Sequence, residues 1–194
     1  MNRAADVALA SFGLVFSSPF IAAAAIAVKL QDGGPVLYRQ QRVGKDGVEF
    51  ELLKVRTMVE GAEKTGAGYA VDKGDSRITR TGRILRRLSI DELPQLWNVV
   101  RGDMSVIGPR PTLSYQVERY TPRQRRRLEV KPGITGWAQI HGRATVPWED
   151  RIELDVWYVD HRSPKIDLEI LARTPLALFA GTYKGSTGGW SPSE

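Results

Sequence analysis

At 194 residues the chain is long enough for one domain with a real core, and its formal charge of +6, from 28 Lys+Arg against 22 Asp+Glu, predicts an anionic partner. That partner could be nucleic acid, an anionic membrane surface or a phosphorylated substrate. The sequence has no cysteine and only two histidines, which excludes disulfides, thiolate nucleophiles and Cys-based metal sites and leaves little for a His-rich centre.

The first element is apolar. Residues 7–28 form a run of 22 without a charge, and about 20 are needed to cross a bilayer. The run is longer than a usual signal-peptide core of about 7–15 residues. Its centre reads Ser17-Ser18-Pro19. Proline removes a backbone donor and clashes with the carbonyl four residues earlier, so a kink or break is expected there, with Ser17 or Ser18 placed to re-satisfy the freed carbonyl. Each half would be roughly 16 Å long at 1.5 Å per residue, too short for a hydrocarbon core of about 30 Å. Arg3 precedes the run; Lys29, Arg39, Arg42 and Lys45 follow it. Basic flanks mark the cytoplasmic side, so both ends are expected there. The expectation is a re-entrant helix–break–helix over 1–31, a catalytic domain over 32–181 and a flexible Gly/Ser-rich tail over 182–194.

Asp46-Gly47 is a turn signal between two β-rich runs, which predicts a hairpin. Lys54 and Arg56 alternate with Val55, so both are expected on one sheet face, toward a diphosphate or lipid headgroups. Residues 59–78 are polar and Gly-rich and read as a mobile loop. In 79–104, Ile84, Leu85 and Leu88 share one helical face. Ser89 with Glu92 has capping-box spacing, which predicts a helix start at Ile90, with Pro94 in its first turns. Residues 105–111 read as a short strand ending in a stiff "GPRP" turn. A basic helix containing "RQRRR" (123–127) leads into a Pro/Gly-rich loop, and amphipathic helices are expected over 148–161 and 165–181. The fold class is α+β.

The chemistry centres on Asp91 and Glu92. Side-by-side carboxylates also suit an ordinary helix N-terminus, where the helix dipole favours them. Arg86 and Arg87 lie just before the pair and Arg110 after it. Fixed cations are expected to keep a carboxylate ionised with a depressed pKa. An ionised Asp can attack phosphorus, and neighbouring carboxylates can hold Mg²⁺. Arg110, flanked by prolines, suits bidentate phosphate binding. The "RQRRR" run reads as a solvated basic face or a contact with an anionic membrane. No recognition-helix or zinc-finger pattern is present, and the apolar run argues against nucleic acid. There is also no P-loop, G-x-G-x-x-G or G-x-S-x-G motif.

The segments "DELPQLWNVVRGDMSVIGPRP" (91–111), "KPGITGWAQIHGR" (131–143), "LDVWYVDH" (154–161) and the Pro-broken N-terminus resemble those of the bacterial sugar transferases, the monotopic polyprenyl-phosphate phosphoglycosyl transferases. The resemblance covers nearly the whole chain, in the small catalytic-core form. It implies transfer of a sugar-1-phosphate from a UDP-sugar to undecaprenyl phosphate at the cytoplasmic face of the bacterial inner membrane. The products would be a polyprenyl-diphosphate-sugar and UMP, in the first membrane step of exopolysaccharide, O-antigen or glycoconjugate synthesis. It further implies Asp91 as the nucleophile of a covalent phosphosugar intermediate and Mg²⁺ as cofactor, held by Asp91 and Glu92, with Asp155 as support. Arg110, Arg143, Lys54, Arg56 and Arg87 would contact substrate, and inner-membrane lipids and a second copy of the chain are the remaining partners. Glu92 stays open between metal ligand, orienting partner and helix cap. A membrane-seated scaffold without turnover and a soluble basic binding protein are the competing classes.

Overall fold

The computed structural model describes residues 1–65, 74–142 and 146–179. The predicted tail over 182–194 and Arg143 lie outside them. Helices α1 (Arg3–Asp32), α2 (Arg80–Arg87), α3 (Gln95–Arg101), α4 (Ser114–Glu118), α5 (Pro122–Arg125), α6 (Trp137–Ile140), α7 (Trp148–His161) and α8 (Pro164–Phe179) surround two small sheets. An antiparallel hairpin pairs β1 (Leu37–Val43) with β2 (Glu49–Val55); a parallel pair joins β3 (Ser105–Ile107) to β4 (Gly133–Thr135). The class is α+β.

Helix α1 is assigned as one continuous helix of 30 residues with Pro19 inside it. The expected break is therefore not a break in helical assignment. Ser18 Oγ donates to the Val15 carbonyl at 2.8 Å, the carbonyl that Pro19 deprives of its usual partner. Among the described residues α1 is the one helix long and apolar enough to cross a membrane. Its buried positions are Asp6, Ala10, Ser17, Ala24 and Val28, a stripe down one face, while Phe12, Val15, Phe16, Phe20, Ile26 and Leu30 are exposed.

Both ends of that stripe dock on the same body. Near the start, Arg3 donates to the Val99 and Val100 carbonyls, and buried Asp6 accepts from Ser105 Oγ and from the Val106 N–H, both at 2.8 Å. Ala10 joins a core with Phe50, Leu52, Val99 and Met104. Near the end, Ala24 and Val28 pack with Val55 and Leu85, and Asp32 pairs with Arg56.

The hairpin turns through Asp46 and Gly47, both at positive φ (57° and 81°), as the Asp-Gly signal predicts. Beyond it, fully buried Asn98 of α3 covers the open side of β2: its amide accepts from Leu53 N–H at 3.1 Å and donates to Glu51 C=O at 2.7 Å. Gly82 lets α2 lie against the chain after β2, since a Cβ there would sit 1.9 Å from the Thr57 carbonyl oxygen. Gly108 and Gly133 do the same for β3 and β4; a Cβ on Gly133 would lie 2.1 Å from the Gly108 nitrogen.

Several details differ from the sequence reading. Ser89 does not cap a helix: it sits at φ 56°, ψ 21° with no capping bond, residues Ile90–Glu92 form a 3₁₀ turn, and α3 begins only at Gln95. The Glu92 side chain is engaged elsewhere, so the capping-box geometry never forms. Of the expected apolar face on α2, Leu85 is buried but Ile84 and Leu88 point outward. The basic stretch is cut by Thr121-Pro122 into two short helices and a 3₁₀ turn over Arg126–Glu129. Within 59–78 the described ends are anchored: Arg77 pairs with Asp75 and donates to the Ala62 and Thr65 carbonyls.

Candidate active site

Asp91 sits in the 3₁₀ turn between α2 and α3, buried at 7% exposure. Among the described residues its carboxylate has neither a hydrogen bond nor an ion pair. It lines a cavity of about 410 Å³ together with Glu92, Lys54, Arg86 and Arg110, and Arg127, Gln139, Trp148, Arg151 and Asp155 line the same cavity. A second cavity, of about 360 Å³, opens between the hairpin and residues 57–63, and shares Lys54, Arg86 and Asp91 with the first. Asp91 therefore stands in the wall common to both.

Glu92 binds two cations of the site. Its Oε1 accepts from Lys54 Nζ at 3.2 Å and from Arg110 at 2.5 Å. Burial alone would raise its pKa, but the charges and hydrogen bonds of Arg110 and Lys54 hold it well below the usual carboxylate range. Lys54 is lowered chiefly by burial, against the pull of Glu92. Arg110 is raised by Glu92.

Asp91 behaves oppositely. Burial, then repulsion from Glu92, pushes its pKa up to about 6, against Lys54, Arg86 and Arg110. The sequence reading expected a depressed pKa. Two of the three cations are already bonded to Glu92, so desolvation wins at Asp91. At pH 7 the carboxylate is still mostly ionised, poorly solvated and free of partners, which are the properties of a strong oxygen nucleophile.

The predicted cations divide. Lys54 and Arg110 join the acidic pair. Arg56 lines the second cavity, but its guanidinium is engaged: it is buried, pairs with Asp32 and donates to the Pro35 carbonyl at 2.7 Å, joining the end of α1 to the hairpin. Arg87 is exposed and lines neither of these cavities, whereas Arg86 lines both and has a buried Nη1 without a partner. One residue along a helix is a turn of about 100°, so adjacent arginines cannot share a face.

Asp155 is fully enclosed on α7, and its Oδ2 accepts from Arg127 Nη2 at 2.5 Å. Burial lifts its pKa to about 6 despite Arg127. Asp91, Glu92 and Asp155 do not form a three-ligand cluster; none exists among the described residues. Arg127 was hidden in the basic run. It donates to Asp155, to Tyr120 Oη at 2.5 Å and to the Arg110 carbonyl at 3.0 Å, so it fixes the backbone that carries Arg110. Arg123 and Arg126 pair with Glu153 and Asp160 of α7. Three arginines of the run thus clamp α7, through Glu153, Asp155 and Asp160 on that helix.

The model of the "Bacterial sugar transferase" family matches residues 1–181. The chain is 48% identical over 174 residues to the "Uncharacterized sugar transferase EpsL" of Bacillus subtilis, covering 90% of this chain and 85% of that protein. It is 41% identical over 187 residues to the UDP-N-acetylgalactosamine-undecaprenyl-phosphate N-acetylgalactosaminephosphotransferase of Aeromonas hydrophila, 93% of this chain but 44% of that protein. It is 42% identical over 187 residues to the UDP-glucose:undecaprenyl-phosphate glucose-1-phosphate transferase of Caulobacter vibrioides, 92% of this chain and 69% of that protein. The chain belongs to the bacterial sugar transferase family.

Proposed function

We propose that the protein transfers a sugar-1-phosphate from a UDP-sugar to undecaprenyl phosphate, with Asp91 as the covalent nucleophile. The observation that carries this reading is the buried, unpartnered Asp91 carboxylate beside Arg86, Lys54 and Arg110. Relatives with the same domain are named for this reaction on UDP-glucose and UDP-N-acetylgalactosamine.

An Asp91 oxygen attacks the β-phosphorus, the bond to the bridging oxygen breaks, and its electron pair leaves with UMP. A mixed carboxylic–phosphoric anhydride carrying the sugar remains. A phosphate oxygen of the lipid then attacks the same phosphorus, the Asp91–phosphorus bond breaks, and the carboxylate is restored. Both displacements are in line, so the acceptor enters where UMP departed. Arg110, Lys54 and Arg86 offset negative charge that would otherwise repel the carboxylate. Glu92 keeps Arg110 and Lys54 oriented.

Mg²⁺ fits this donor set. It is commonly held by one or two carboxylates plus substrate phosphates, and Asp91 supplies one free carboxylate beside the position of the diphosphate. When bound, the ion would neutralise phosphate charge.

The acceptor is a membrane lipid, and α1 supplies the seat. With Arg3 and Asp6 at one end and Asp32 at the other fastened to the same body, α1 runs along the domain, and its exposed phenylalanines suit insertion into one leaflet from one side. Exposed Ile84, Leu88 and Trp97 on α2 and α3 extend the apolar surface. The seat is a re-entrant one at the cytoplasmic face of the inner membrane.

The test is UMP release from a panel of UDP-sugars with undecaprenyl phosphate and Mg²⁺, together with intact-protein mass spectrometry after donor alone. UMP release and a mass gain equal to one phosphosugar, both absent in Asp91→Asn, are expected. Release of UMP by the Asp91→Asn protein at the wild-type rate would sink the covalent role.

A further inference from the structure

Apart from the cations around Asp91, the wall of its cavity holds several buried polar atoms without a partner: both amide atoms of Gln139, Trp148 Nε1 and Asp155 Oδ1. Each such group left unsatisfied costs about 1–3 kcal/mol, and native folds carry few of them. Four in one cavity wall mark a place where a ligand completes the bonding.

The donor set limits what that ligand is. Arg127 and Arg151 line the same wall, with Arg127 paired to Asp155, and the four unpartnered atoms are two donors and two acceptors, a set that an uncharged group able both to donate and to accept completes. Leu93, Leu96, Ile134 and Ala138 also line the cavity, and apolar walls suit the faces of a flat ring. The Gln139 amide presents one acceptor and one donor side by side, complementary to the N–H and C=O of a cyclic imide. Trp148 and Asp155 are seven residues apart on α7, two turns, and so face the same way. The Trp148 ring is fixed between the Arg127 and Arg151 guanidiniums at 5.7 and 5.6 Å, which aims its N–H.

We infer that Gln139, Trp148 and Asp155 form the nucleoside subsite of the donor, with the Gln139 amide pairing to the imide edge of the uracil ring and Asp155 Oδ1 accepting from a ribose hydroxyl. This rests on the proposed reaction and deepens it: the uridine lies against this wall of the cavity, and its phosphates reach toward the cations around Asp91. Asp155 then serves substrate rather than metal, and its pairing with Arg127 leaves one oxygen facing inward for that purpose.

The experiment measures equilibrium binding of UMP and of ribose 5-phosphate to the full-length protein in detergent, alongside UMP release from the best UDP-sugar. Gln139→Met keeps the side-chain length but removes both the amide donor and the amide acceptor without adding a charge. It should weaken UMP at least tenfold and leave ribose 5-phosphate unchanged. Trp148→Phe, which deletes the N–H and retains a ring, should weaken UMP by about three- to tenfold, the range of one hydrogen bond. Unaltered UMP affinity in both variants would overturn the subsite while wild-type turnover still upheld the reaction. So would unchanged UMP affinity with a changed preference among sugars, which would assign these atoms to the sugar. Equal loss of UMP and ribose 5-phosphate would also overturn it, because the base would then contribute nothing. A wild type that neither binds UMP nor releases it from any donor would overturn the reaction itself.

Discussion

Ser18 Oγ lies 2.8 Å from the Val15 carbonyl oxygen, which Pro19 leaves without its helical partner. A hydroxyl one residue before the proline thus lets α1 continue through its middle, in a segment where exposed phenylalanines leave few other donors.

The same helix gives a topological prediction. With its two ends fastened to one body, single cysteines introduced at Asn2 and at Gln31 should both react with a membrane-impermeant maleimide only after the cytoplasmic side is opened. Labelling of the two positions from opposite sides would show a full span. Asp6→Ala orphans the Val106 N–H and Ser105 hydroxyl and should destabilise the fold by about 1–3 kcal/mol, read by urea unfolding.

Asp91 predicts opposite effects on activity and stability. Its pKa is raised from 3.8 to about 6, so the folded protein holds that proton more tightly than the unfolded chain does. Stability therefore falls as pH rises from about 4 to 6, and the whole penalty remains above that window. Asp91→Asn removes it. The variant should be more stable than wild type by roughly 2–3 kcal/mol at pH 8, with the gain shrinking toward pH 4, while turnover is lost. If Asp91 is the nucleophile as proposed, kcat/KM of the wild type for donor should drop about tenfold per unit below pH 6, as Asp91 becomes protonated. A stability gain that does not change with pH would count against the shift.

Arg86 and Arg87 form a neighbouring pair with unequal consequences. Arg86→Met should lower kcat/KM for donor by at least a hundredfold, since its guanidinium borders both cavities and has a free buried Nη1. Arg87→Met should stay within about twofold, as expected of an exposed side chain. Equal losses in the two variants would mean that the cation acts only through the general field.

Arg127 should matter to stability first. Arg127→Met leaves Asp155 enclosed without its partner and should cost about 3–5 kcal/mol at pH 7, whereas adding Asp155→Leu should restore most of that. The repaired double variant should remain impaired in donor binding. Chemical denaturation and UMP affinity, measured on the same three proteins, separate the two effects.

Local pattern was enough for much of the fold. The Asp-Gly turn marked the hairpin, and the boundaries of α7 coincide with the amphipathic stretch 148–161, because periodicity and turn chemistry act within a few residues. Strand β4 lies where the sequence pattern predicts a Pro/Gly-rich loop. Its three residues pair only because Gly108 and Gly133 allow two distant backbones to meet, a relation with no local signature. The acidic pair was legible as a centre, but not the asymmetry within it. Asp91 and Glu92 have the same charge and adjacent positions, and only the folded chain decides that Lys54 and Arg110 both reach for Glu92. Arg127 sits in a run whose pattern predicts an exposed face, and its buried partner lies 28 residues later.

The packing of α1 carries one more consequence. Ala10 and Ala24 belong to the interior that also holds the hairpin and α3, so the apolar helix cannot shift along the membrane normal without moving Asp91 by the same amount. The height of Asp91 relative to that helix is a fixed dimension of the molecule. A bulky residue at Gly13, where a Cβ would press 3.2 Å from Leu96, would alter that elevation before it touched any catalytic group. Reach toward the acceptor is thereby written into helix packing, and bilayers of different thickness would be met by the whole protein floating higher or lower.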